Sequence, residues 1–252
     1  VGSEMCIRDR DNTEIDFALV SVPPQEIRHA LMTLITNSVN LISSPPIAVD
    51  VSSAELIIKA SEWHGVKFEI AENYFRYPHE RIKSLLIEEG IFGKILTAYS
   101  DFVAHGYHAT SLLRSYIGWE IVPTRVYGFS SDFKVKPHQT NGKEIDEERW
   151  YHAIIDFANG AKGIYNFSSL SYHSPLRWER KYSYTKFYGS KGMCIGHEMS
   201  ILSDDNETQP IKIERHNSLV DDIEVADTYV AKVGDDTVEW QNPFREYPFD
   251  DG

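Results

Sequence analysis

Apolar positions in the first ninety residues alternate between two patterns. Ile15 to Val22 (IDFALVSV) is a nearly continuous apolar run closed by Pro23-Pro24, which predicts a short strand buried on both faces. Gln25 to Thr36 then places Ile27, Leu31, Leu34 and Ile35 on one helical face. Val39 to Ile42 reads as a second strand, stopped by Ser43-Ser44-Pro45-Pro46. Val51 to His64 reads as a helix capped by Ser52 or Ser53 and ended by Gly65. Val66 to Ala71 predicts a third strand, and Pro78 to Glu89 a third helix before Gly90. Strand alternating with helix at this spacing implies βαβ units and a parallel sheet.

Beyond Gly93 the pattern changes. Lys94 to Val103 predicts a longer strand and Ala109 to Ile117 a single helix ended by Gly118. Strands then dominate, with candidates at 124–131, 150–157, 162–169, 181–188, 193–195, 211–215 and 225–230. Turns are expected at Asn159-Gly160, at Gly189-Ser190-Lys191-Gly192 and at Asp204-Asp205-Asn206. Lys134 to Glu148 reads as one long polar loop, and the acidic clusters Asp146-Glu147-Glu148 and Asp221-Asp222 as solvated loops. Partial alternation of Tyr182, Tyr184 and Tyr188 predicts an apolar sheet face that isolated monomers rarely expose.

Composition narrows the class. The chain has 252 residues, 42% of them hydrophobic and 25% charged, enough for a sizeable core. Its formal net charge of −13 argues against nucleic acid or an anionic membrane surface, since phosphate neutralisation needs clustered Lys and Arg. A mean hydropathy of −0.36 with no long apolar run predicts no membrane-spanning helix and a cytoplasmic protein. Two cysteines, Cys6 and Cys194, make neither a disulfide framework nor a Cys-based zinc site. Residues 1–12 are expected to be an artefactual tail, because VGSEMCIRDR resembles a translated sequencing-adapter remnant and lacks a signal peptide's apolar stretch.

An ordered set of motifs runs through roughly residues 13 to 240. Val22-Pro23-Pro24 and Pro46 are followed by Asn73-Tyr74 and Pro78, then by Glu88-Glu89-Gly90-Ile91-Phe92-Gly93-Lys94-Ile95. Gly106-Tyr107-His108 comes next, with Gly118 beyond it, then Asn159-Gly160-Ala161 and Gly189-Ser190-Lys191-Gly192. In order and spacing this resembles the Gfo/Idh/MocA family of sugar and polyol dehydrogenases, related to glucose-fructose oxidoreductase and inositol dehydrogenase. The resemblance implies an α/β plus α+β chain: the C-terminal half of a Rossmann parallel sheet, then an α/β domain with a large, mostly antiparallel open sheet. It divides the chain into 13–76, a remnant of an NAD(P)-binding domain, and 77–252, a substrate and oligomerisation domain possibly cut at its C-terminus. No G-x-G-x-x-G turn occurs, so the first strands and the pyrophosphate site of such a domain are expected to be missing upstream.

The resemblance implies NAD- or NADP-dependent hydride transfer on a sugar-like or polyol substrate, with a homo-oligomer formed through the second-domain sheet. Cofactor contacts carry over to Val22, Pro23, Pro24, Ser44 and Asn73. Substrate contacts carry over to Tyr74, Tyr107, Tyr172, His173 and Arg177, where an Arg fork and Tyr rings suit hydroxyl or carboxylate recognition. The family's E-K-P triplet is Ser44-Pro45-Pro46 here, and its two aspartates around the histidine are Ala104 and Ser111. Of the catalytic set His108 remains, with His105 (and Asp101 nearby in sequence) as a replacement acid/base. The lost lysine opens a second reading, a relative without catalysis that serves as a binding or regulatory subunit. No metal site is expected.

Overall fold

The computed structural model describes residues 15–101, 105–171, 174–177 and 184–243. Residues 1–14, which include the suspected tail, together with Ala104, Tyr172, His173 and Tyr182, lie outside the described residues. The chain divides into two compact units, 1–73 and 74–252.

In the first unit the predicted alternation forms three short parallel strands in the order β1 (Ala18–Val20), β2 (Leu41–Ser43), β3 (Phe68–Ile70). Helix α1 (Pro24–Thr36) follows β1, and helix α2 (Val51–Trp63) follows β2. Their apolar faces bring Ile27, Leu31, Ile35 and Ile57 against Val20 and Leu41. Asp50, rather than Ser52 or Ser53, caps α2: its carboxylate accepts from the Ser53 N–H at 2.8 Å. The side chains of Ser52 and Ser53 instead donate to Asp50, and these bonds hold its carboxyl down at about 2. The run around β1 is not buried on both faces, since Leu19 is 74% exposed while Val20 is 6%. The covered face is the one that meets α1, and β1 pairs only with β2 among the described residues.

The second unit is built on one sheet of ten strands. They run in the order β13 (Asp236–Gln241), β12 (Ile223–Val233), β11 (Thr208–Val220), β10 (Glu198–Leu202), β9 (Gly192–Ile195), β8 (Tyr184–Gly189), β4 (Ile95–Asp101), β7 (Lys162–Ser168), β6 (Lys143–Phe157), β5 (Pro123–Thr140). Every pairing is antiparallel except β4 with β7. Helices α3 (Pro78–Glu88) and α4 (Gly106–Ile117) share a core with one face of this sheet. Ile82, Leu86, Leu113 and Tyr116 from the helices meet Ala98, Ile155, Phe157 and Phe187 from the strands. Gly189 is fixed by close approach, for a Cβ there would stand 2.1 Å from the Phe92 carbonyl oxygen. No described helix is long and apolar enough to cross a membrane.

Two sequence expectations fail here. Lys134 to Glu148 is not a loop but lies in the β5–β6 hairpin, whose turn is Asn141-Gly142 with both residues at positive φ. Strand β5 is an edge strand exposed along most of its length, so it carries no inward-outward alternation to read. Nor is Glu148 solvated: it is 2% exposed, accepts both Arg177 guanidinium arms, and accepts from Ser168 Oγ at 2.9 Å. Burial pushes its carboxyl up, but bonds from Arg177, Trp150 and Ser168 outweigh burial and hold it below its ordinary value.

One ionic cluster is buried inside the helix–sheet layer. Glu80 in the first turn of α3 bonds Lys83 Nζ at 2.8 Å and accepts from the Tyr116 hydroxyl, while Thr185 Oγ1 lies 2.9 Å from the same hydroxyl. His79 approaches Glu80 at 3.4 Å and its ring stands edge-on to His197. Burial pushes the Glu80 carboxyl up, yet Lys83 and His79 prevail and bring it to about 2. Replacing one partner of such a pair strands the other charge, so Glu80→Gln should cost roughly 3–5 kcal/mol in a denaturant titration of the second unit. A carboxyl depressed in the folded state stabilises above the ordinary carboxylate range and loses that contribution as pH falls toward 2. Acid unfolding should therefore be steeper in the wild type than in Glu80→Gln, and identical acid profiles would contradict the assignment.

Candidate functional site

In the first unit, the residues expected to meet a cofactor gather at the C-terminal ends of the parallel strands. Val22 and Pro23 leave β1 to start α1, and Ser44 follows β2 with its N–H donating to the Val20 carbonyl at 2.9 Å. The Ala71 N–H donates to the Ser43 carbonyl at 2.8 Å, and Asn73 follows at the exposed end of this segment. The Pro45–Pro46 bond is cis. Dinucleotides bind at this end of an open parallel sheet. The residues present fit part of that task, since the chain has no glycine-rich turn for a pyrophosphate.

In the second unit, His105 is the N-terminal boundary residue of α4, and Tyr107 and His108 lie in its first turn. Their rings form a continuous arc. Tyr74 packs on His108 with centroids 4.3 Å apart, His108 on Tyr107 at 4.4 Å, Tyr107 on His105 at 5.7 Å and His105 on Phe167 at 5.1 Å. Phe167 continues the arc to Tyr165 and Tyr151 on β7 and β6. Tyr74 is held by a short 3-10 turn, Tyr74–Arg76, clasped to the far end of α4 through Phe75 against Trp119 at 4.8 Å. Arg76 lies over the Phe75 ring. The structure thus brings together Tyr74, Tyr107, His105 and His108, and their grouping needs only the α4 start and the adjoining turn.

Asp101 does not join them. Along β4, Ala98 and Ser100 are buried on the helix side, so Asp101 projects to the open face. There its carboxylate accepts from Asn166 Nδ2 at 2.5 Å and lies 3.4 Å from Lys186 Nζ. Because a carboxylate only accepts, the Asn166 carbonyl oxygen faces His152 Nδ1, 2.9 Å away, which must carry the proton. This row, Lys186–Asp101–Asn166–His152, spans four adjacent strands and was not anticipated. Sequence spacing paired Asp101 with His105, whereas Asp101 lies on the open face of β4 and His105, at the start of α4, packs on Phe167. Among the described residues no group of three or more His, Cys, Asp or Glu side chains could hold a metal ion.

Arg177 sits apart from the arc. Its guanidinium forks onto Glu148 and lies 5.6 Å over the Trp150 ring, anchoring the segment after β7 to the long hairpin. The same segment is tied by Ser174, whose Oγ lies 2.6 Å from His138 Nε2. Tyr172 and His173, expected beside them, lie outside the described residues. Tyr165, Phe167 and Tyr151 were missed as site residues. Their alternation on the expected strands 150–157 and 162–169 was the available signal, because it places them on one face.

The chain matches no protein-family model and no curated protein. Among solved structures it is similar to an oxidoreductase from Agrobacterium radiobacter in complex with NAD+, L-tartaric acid and magnesium. That likeness has 16% identity and a TM-score of 0.60, covering 83% of this chain and 63% of that one. An NAD binding oxidoreductase from Klebsiella pneumoniae matches at 15% identity and a TM-score of 0.62, over 81% of this chain and 61% of that one. The WlbA dehydrogenase from Bordetella pertussis, in complex with NADH and UDP-GlcNAcA, matches at 17% identity and a TM-score of 0.56, over 75% of this chain and 56% of that one. This chain spans less than two thirds of the length of each. It therefore has the fold of the NAD-binding oxidoreductases of the Gfo/Idh/MocA type, a small parallel α/β unit followed by a unit on a large open sheet.

Proposed function

We propose that the chain takes part in NAD(P)-dependent oxidation or reduction of a sugar-like or polyol substrate. The carrying observation is the ring arc that holds His105 and His108 at the start of α4, in a fold shared with NAD-binding oxidoreductases. Residues 13–76 contribute part of the dinucleotide-binding domain, with Val22, Pro23, Pro24, Ser44 and Asn73 at the strand ends. Residues 77–252 contribute the substrate side, together with Tyr74 just before them. When bound, the nicotinamide supplies the hydride acceptor for the substrate carbon.

The chain's own residues handle the proton. His108 takes the hydroxyl proton on a ring nitrogen as the carbon is oxidised and returns it in the reverse direction. Tyr74 and Tyr107 flank its ring on two sides and restrict its rotation. His105 is the second acid/base group, beyond the Tyr107 ring on the arc. The aromatic faces offer flat walls for the C–H faces of a polyol, and their hydroxyls can meet its oxygens. A cytoplasmic setting belongs to this reading, and Cys194, the free cysteine among the described residues, is buried.

A homo-oligomer through the open sheet face is also proposed. On that face Tyr127, Phe129 and Ile154 are 50%, 67% and 48% exposed, beside the polar row that includes Asp101 and His152. Apolar area of this kind is rarely left to solvent.

A protein that includes the upstream coding sequence should bind NAD(H) or NADP(H) in calorimetry, and absence of dinucleotide binding there would overturn the reading. With a substrate found in a sugar and polyol panel, His108→Ala should lower kcat by about 100-fold or more, the range for loss of an acid/base group. Light scattering should give at least a dimer mass, reduced to the monomer by Phe129→Glu on the open face.

A further inference from the structure

One line of hydroxyl-bearing side chains crosses three neighbouring strands on the helix-facing side of the sheet. Thr185 on β8, Ser100 on β4 and Tyr165 on β7 stand directly opposite one another in register across three neighbouring strands. Thr185 is 7% exposed and Ser100 is fully buried. The row starts from the ionic cluster, because Thr185 Oγ1 meets the Tyr116 hydroxyl that donates to Glu80. Ser100 Oγ is buried without a hydrogen-bond partner, a costly arrangement in a layer otherwise filled by Ala98, Leu113 and Phe187. At its other end the row reaches the start of α4. The Tyr165 hydroxyl lies 3.8 Å from where a Cβ on Gly106 would stand, beside His105 and two residues before His108.

We propose that Tyr165 is a substrate-binding residue whose phenolic hydroxyl donates a hydrogen bond to the oxygen on the carbon undergoing hydride transfer, beside His105 and His108. The inference rests on the oxidoreductase reading above. Burial and the neighbouring Tyr151 push the Tyr165 hydroxyl well above its ordinary value, so it stays protonated and acts as a donor at any working pH. It takes no part in bond breaking: a bound nicotinamide would accept the hydride and histidine the hydroxyl proton, while Tyr165 holds the oxygen in both oxidation states. Parallel stacking on Phe167 fixes the ring direction, and Phe167 in turn packs on His105. Acid/base group and donor are thereby supported by the same side chain. At Gly106 no side chain stands between α4 and the hydroxyl, and a Cβ there would come into van der Waals contact with it.

The test titrates myo-inositol and L-tartrate into the 252-residue chain and follows binding by protein-observed NMR. Binding of at least one probe is expected, weakened roughly fivefold or more by Tyr165→Phe, as for the loss of one hydrogen bond of about 1 kcal/mol. Gly106→Ala, which adds a methyl in contact with the hydroxyl and leaves the ring in place, should weaken it as well. Thermal unfolding checks that each variant folds. If Tyr165→Phe unfolds, the Gly106→Ala result decides. Unchanged probe affinity in a folded variant, or no binding of either probe by the wild type, overturns the role of Tyr165. Failure of the oxidoreductase reading shows separately, as loss of dinucleotide binding in the upstream-extended protein, whatever the probes do.

Discussion

Strand β4 is the constraint on which the second unit depends. With β7 it forms the one parallel pairing among the described strands of the sheet, and its other neighbour, β8, is antiparallel. Its alternation assigns Ala98 and Ser100 to the helix layer, and Tyr99 and Asp101 to the open face. Every group of chemical interest in the unit is sorted by that division. The arc of Tyr and His rings gathers at the start of α4 on one side. The row from Lys186 to His152 forms on the other.

The helix layer carries a cost that apolar packing does not explain. Glu80 and Lys83 are buried as a pair, with Tyr116 and Thr185 completing their hydrogen bonds. A buried pair of this kind contributes little net stability over apolar residues of similar size, although breaking it is expensive. Its effect is geometric. The cluster locks the first turn of α3 to the last turn of α4 and to β8, while Tyr74 and Phe75 clasp the same helix from the preceding 3-10 turn. The start of α4, where His105 and His108 sit, is thus held from both ends of the helix.

Much of the architecture was legible because local chemistry sets it. Pro23-Pro24 marks the start of α1 in the sequence, and helices α2, α3 and α4 end close to Gly65, Gly90 and Gly118. The turn at Gly189 to Gly192 follows from backbone approach that only glycine permits. Motif order singled out His108 and Tyr74 as candidates, and their rings meet in the structure. The long β5–β6 hairpin was hidden because an exposed edge strand needs no apolar period. Arg177 looked like a ligand-binding side chain, and its buried partner Glu148, 29 positions away, is invisible to any local pattern.

By itself the sequence determined the βαβ order of the first seventy residues, the change to strands after Gly93, and the histidine-bearing helix start. These depend on near neighbours: side-chain periodicity, proline and glycine conformations, and caps. Only the tertiary structure decided which strand lies beside which. That placed Tyr165 under Gly106 with the ring arc, and sent Asp101 to Asn166 and Lys186 on the open face. The physical reason is that strand neighbours in a ten-stranded sheet are chosen by pairing across long stretches of chain. The face each side chain takes then follows from register, which residue spacing alone does not specify.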